Sequence, residues 1–217
     1  MKDKLLYAGV AGPLLFIAVF LVEGATRAGY SAWTMYVSQL ATGPGGWVQV
    51  ANFLVFGAAS LAFAVGVRMA TASIAAPILL GLFAVAMFVA GIFTTDPGLG
   101  YPVGVPEVHT THGTIHGFAG LAVFTLLPAA CFVMGWRFLR AGSTDWALYS
   151  GLAGAALIAL FFGGFAINQF AGAPIGVYQR AAIICGWTWI SLVALHLIRA
   201  DDRKIVLAAD DIAAARA

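Results

Sequence analysis

Charge is what this sequence has least of. Asp, Glu, Lys and Arg make up 9% of its 217 residues, 62% are hydrophobic, and the mean hydropathy is +0.95. A soluble domain carries about a quarter charged residues. So little charge cannot cover a water-facing surface, and the bilayer is the expected solvent. The net charge of +2 comes from few groups and gives no basis for a nucleic-acid partner. Cysteine is also scarce. Cys131 and Cys185 lie inside apolar runs without C-x-x-C spacing, so they read as small buried residues rather than a redox or zinc pair. A G-x-S-x-G elbow is missing, which leaves a serine hydrolase without support. Nor is there a repeat of the 20–50-residue kind or a soluble domain.

What is present is a series of apolar runs near the length of about 20 residues that a membrane span needs. Six are predicted: Leu5–Val22, Trp47–Val67, Ala75–Phe93, His112–Gly135, Trp146–Ile167 and Tyr178–Ile198. The first is longer than the ~7–15 residues of a signal-peptide core, and no clear small-x-small cleavage site follows it, so it reads as a retained span. Pro13, Pro77 and Pro128 fall within or at the start of spans, where membrane helices tolerate them. The expected fold is an all-α, polytopic six-helix membrane bundle over residues 1–200, with a short polar tail at 201–217. Gly57 to Ser60, Gly151-x-x-Gly154 and Gly163-Gly164 are candidates for close helix approach.

Six spans put both termini on one side. Nine of the eleven basic residues fall there, and only Arg27 and Arg180 fall opposite. The positive-inside rule then makes the termini cytoplasmic and the membrane the plasma membrane. The connection from Asp96 to His116 faces outward. It holds three of the four histidines and two of the nine acidic residues. His109, His112 and His116 are spaced i, i+3, i+7, one face of a helix, with Asp96 across the connection. Three imidazoles and a carboxylate suit zinc or a related divalent ion; no other cofactor is expected. Glu107 is the candidate general base. Arg180 is a lone cation on the unfavoured side, which either anchors at headgroups or pairs with Asp96, Glu107 or Glu23. With Gln179, Gln39 and Asn52 it forms the candidate ligand-binding set. His196, at the other end, reads as interfacial.

The order of short motifs resembles a bacterial family of six-helix membrane proteins catalogued as domain of unknown function 998. The residues that carry the resemblance are Gly12-Pro13, Ser38-Gln39-Leu40, Gly43-Pro44-Gly45-Gly46-Trp47, Asn52-Phe53, Gly57, Gly91 to Pro97, His112-Gly113-x-x-His116 and Gln179-Arg180. The resemblance spans nearly the whole chain. It implies a six-span bundle, puts weight on Asp96, His112, His116 and Arg180, and supplies no activity. Two readings stand. In one, the outward site is a metal-dependent lipid or headgroup hydrolase, with metal-activated water and Arg180 on a phosphate. In the other, the polar cluster is structural and the protein binds membrane lipid, a small ligand or a partner subunit. Oligomeric state is not legible.

Overall fold

The structure is a computed structural model that describes residues 1–71, 73–171 and 174–214, with side chains described for 1–71, 73–169 and 174–200. Among the described residues, seven α-helices carry the fold: α1 (Lys2–Thr26), α2 (Trp47–Ala70), α3 (Ala75–Ile92), α4 (Thr111–Arg140), α5 (Thr144–Ile158), α6 (Gly164–Ala171) and α7 (Ile175–Ala214). A 3-10 turn occupies Val37–Ala41, and a π turn, Ala159–Gly163, joins α5 to α6. No strand occurs among the described residues. Six segments are long and apolar enough to cross a membrane, with α5, the π turn and α6 forming the fifth. They fall on the six predicted runs. In hydrocarbon every backbone N–H and C=O needs a partner within the protein, and a helix supplies those partners from its own chain.

The spans form a closed ring in the order α1, α2, α3, α4, α5, α7 and back to α1. Trp187 of α7 sits at its centre, fully buried. Its ring stacks on Phe56 at 5.2 Å and meets Phe83 at 5.4 Å and Phe16 at 5.8 Å, so one indole ties α7 to α1, α2 and α3. Such aromatic contacts add about 0.5–1.5 kcal/mol each beyond burial. The α1–α2 seam depends on Gly12, where an added Cβ would lie 2.5 Å from that of Ala59. Of the small residues expected at interfaces, Gly57, Gly154 and Gly164 are in close contact with a neighbouring helix. A Cβ at Gly151 or Gly163 would meet nothing within 4 Å.

Span five departs from the regular helix expected there. The π turn carries Phe161 and Phe162, and Phe161 stacks flat on Phe124 of α4, with centroids 3.8 Å apart and planes at 9°. Single π turns inside α-helices recur at functional sites because they reset the side-chain register. Here the turn lies in the half of the bundle away from the termini, whose outer end is the distal end below. The distal end also carries the connections at 27–46 and 93–110. Helix α7 continues through the polar tail to Ala214.

Candidate functional site at the distal end

The histidine run does not form one helical face. Thr110 is extended (φ −114°, ψ 165°), and its Oγ1 accepts the Gly113 N–H at 3.1 Å as an N-cap. The helix therefore begins after His109, which stays in the connection, exposed. His112 is also exposed, its ring 5.1 Å from that of Phe93. His116, one turn further in, is 8% exposed. Its Nδ1 lies 3.0 Å from the Ala90 carbonyl oxygen and 2.9 Å from that of Phe93. Both partners are acceptors, so Nδ1 carries the proton. In the neutral ring Nε2 is then a bare acceptor, and nothing among the described residues donates to it. Among the described residues, no three His, Cys, Asp or Glu side chains come together in a group that could hold a metal ion. The three-histidine, one-carboxylate set expected from spacing is thus not assembled, because capping at Thr110 and the inward turn of His116 separate its members.

Asp96 serves the cap. Its Oδ2 accepts the Thr110 N–H at 2.8 Å and its Oδ1 accepts the Thr110 hydroxyl at 2.6 Å. The Thr110 hydroxyl and then its N–H hold the Asp96 carboxyl below the usual range, with His109 and His112 adding smaller pulls in the same direction. A Cβ at Gly113 would sit 2.0 Å from Asp96 Oδ2, which is why a side chain is excluded there. Glu107 braces the same connection by accepting the Leu99 N–H at 2.7 Å.

The remaining candidates are tied into the connections. Gln39 is buried. Its Oε1 accepts the Tyr36 N–H at 3.0 Å and its Nε2 donates to the Gly98 carbonyl, joining the 3-10 turn to the 93–110 connection. Asn52 lies deeper, its Nδ2 donating to the Phe16 carbonyl across the α1–α2 seam at 3.1 Å and to Gln49 Oε1 within α2 at 3.2 Å. Among the described residues, Arg180 pairs with no acid. Its Nη1 donates to the carbonyls of Ala32 (2.7 Å), Met35 (2.9 Å) and Gly176 (2.9 Å), and its Nη2 donates to the Tyr30 hydroxyl. Its guanidinium carbon also lies 5.4 Å from the Tyr30 ring centroid. Burial pushes the Tyr30 phenol up, against the downward pull of Arg180, so it remains a neutral hydroxyl. Glu23 is paired with Arg27 instead, and Arg27 also donates to the Pro44 and Gly45 carbonyls. Gln179 accepts the Val37 N–H at 2.7 Å through Oε1, and among the described residues its amide N–H groups have no partner.

Three adjoining spaces lie among these residues. A polar recess of about 330 Å³ at the distal surface is lined by Gln39, Asp96, Glu107 and His109, and shares Tyr36 and Thr95 with its neighbour. That neighbour is a cavity of about 430 Å³ on the flank of the bundle, between α4 and the π turn, walled by Phe124, Phe161 and Phe162. Leu121 and Phe165, 46% and 48% exposed, form its lip. Beneath it a deeper void of about 50 Å³ reaches Trp187. Ser38, His116, Gly120, Phe124 and Gln179 line both the flank cavity and the void, so the two adjoin.

A model of the protein family described as "Protein of unknown function (DUF998)" matches residues 10–196. The chain belongs to this family. No curated protein and no solved structure matches it. The matched range takes in spans two to five whole, most of the first and sixth, and both distal connections, so the cavity system lies within the family's unit rather than in an added segment.

The sequence pointed to the polar recess and to His116 and Gln179, but not to the flank cavity. Tyr36, Phe124, Phe161, Phe162 and Gly120 enter the site through the π turn and the packing of α4. The available signal was Gly113, Gly117 and Gly120 running beside His116. At Gly117 and Gly120 an added Cβ meets nothing within 4 Å.

Proposed function

We propose that this membrane protein binds a single lipid-like amphiphile through the flank of its distal end. The chain of the amphiphile lies between α4 and the π turn, and its polar end lies among the polar residues of the cavity wall, Tyr36, Ser38, Thr95, His116 and Gln179. The observation that carries this reading is the junction itself: an aromatic cavity with an apolar lip on the bundle flank adjoins a polar recess at the bundle end. Ligand sites of this kind are mostly apolar, with a few placed polar groups. The two helix-interior glycines facing open space support it. Gly in a helix costs about 0.5–1 kcal/mol relative to Ala, and neither Gly117 nor Gly120 repays that cost with a close contact.

The basic residues at the opposite end support a distal site on the non-cytoplasmic face, with the plasma membrane as the host. The hydrolase reading draws less support, since Asp96, Glu107 and Arg180 are each committed to backbone or cap. The test is native mass spectrometry of protein released from its membrane in mild detergent. Wild type is expected to retain about one amphiphile per chain, and Gly120→Leu to lose it while staying folded. A wild type that retains none, and takes up none when amphiphile is resupplied, overturns the proposal.

A further inference from the structure

The distal end carries two Lys or Arg residues, Arg27 and Arg180, and both are spent. Arg180 is bonded to three carbonyls and a phenol, and Arg27 to Glu23 and two carbonyls. An anionic headgroup would meet no unspent guanidinium or ammonium and would lie beside Asp96 and Glu107. The groups that do have free hydrogen-bonding capacity are uncharged and sit together where the flank cavity meets the deep void. They are His116 Nε2, an acceptor in the neutral ring; the Gln179 amide N–H groups, which are donors; and the Ser38 hydroxyl, which has no partner among the described residues. His116 is more than nine-tenths buried and lines both the flank cavity and the void, so a ligand in that space can reach its ring. Trp187 lines the same void, and its Nε1 is a buried donor without a partner.

Resting on the amphiphile-binding reading above, we infer that the ligand is an uncharged, hydroxyl-bearing lipid: an acylglycerol or long-chain alcohol whose hydroxyl donates to His116 Nε2 and accepts from Gln179 or Ser38. A hydroxyl is both donor and acceptor and carries no charge, so it satisfies such a set without a counter-ion. A phosphate would be buried without a partner cation, and an ammonium has no acceptor capacity to offer Gln179.

The test compares three ligands with one shared chain on the full-length protein in detergent: monooleoylglycerol, its phosphate ester and oleylamine. Binding is read by native mass spectrometry. Monooleoylglycerol is expected to bind at least about tenfold more tightly than either charged analogue. His116→Asn is the variant of choice, because the asparagine amide can stand where Nδ1 stood and keep a bond to the Ala90 or Phe93 carbonyl while removing Nε2. It should weaken monooleoylglycerol binding by about tenfold, the order of one hydrogen bond. If His116→Asn does not fold, Ser38→Ala, which breaks no bond in the protein, should still weaken monooleoylglycerol selectively. Equal binding of all three, or preference for phosphate or amine, overturns this inference and leaves the amphiphile site standing. Failure of all three to bind overturns both.

Discussion

Gly120 offers the sharpest test because stability and binding should move in opposite directions. It lies inside α4, where glycine is a poor helix former, and it lines both the flank cavity and the void beneath. An added Cβ meets no atom within 4 Å. Gly120→Ala should therefore stabilise the fold by about 0.5–1 kcal/mol. For a chain of this size that raises the melting temperature by about 1–4 °C. Gly120→Leu keeps the helix gain and places an isobutyl group at the junction, against Phe124 and beside His116. Amphiphile binding should fall by at least tenfold, equivalent to about 1.4 kcal/mol. The assay pairs thermal unfolding in detergent with the native mass spectrometry described above. A leucine variant that melts well below wild type would show that the space is not free. A stable variant that binds as before would show that ligand does not occupy it. Either result refutes the reasoning, since an ordinary packing defect lowers both quantities and a lipid-facing surface position leaves binding unchanged.

Three other outcomes follow from the distal hydrogen bonds. Arg180→Met should destabilise the protein by about 3 kcal/mol, because it removes four hydrogen bonds of a charged donor, two of them buried; unfolding in denaturant measures this, and a loss under 1 kcal/mol would refute the bracing role. Asp96 has a depressed folded-state pKa, so its stabilisation is complete above the ordinary aspartate value of about 3.9 and is lost as pH falls through the lower folded value. Melting temperature should hold from neutral pH to about 5 and drop below about 4, and Asp96→Asn should flatten part of that drop; an unchanged acid limb in the variant would refute the assignment. His112→Ala, at an exposed ring outside the cavity lining, should change stability by less than about 0.5 kcal/mol and leave both amphiphile binding and zinc content, measured by elemental mass spectrometry, as in wild type.

The spans and the polar connection were legible because their causes are local. An apolar run longer than a bilayer core has one stable backbone solution, whatever its neighbours do. Asp96-Pro97 likewise announces the end of α3 through the restriction proline places on the residue before it. His109, His112 and His116 show where local reading stops. Their spacing describes a helical face only if the helix has already begun, and the Thr110 cap, held by a carboxylate fourteen residues earlier, starts it too late for His109. Arg180 shows the same limit. Its acids were visible in the sequence, but the carbonyls it binds belong to a connection that folds back onto α7 from about 145 residues away.

By itself, then, the sequence determined that the chain is an all-helical membrane protein with six spans and a polar distal end, and which family it resembles. Only the tertiary structure decided that His116 turns inward while His112 stays outside, that Arg180 is spent on backbone, and that a π turn leaves a cavity beside α4. The physical reason is the helix rise. One turn of about 5.4 Å carries a side chain from the exposed connection into the bundle interior, and whether that step meets solvent, packing or open space is set by the neighbouring helix rather than by the residue.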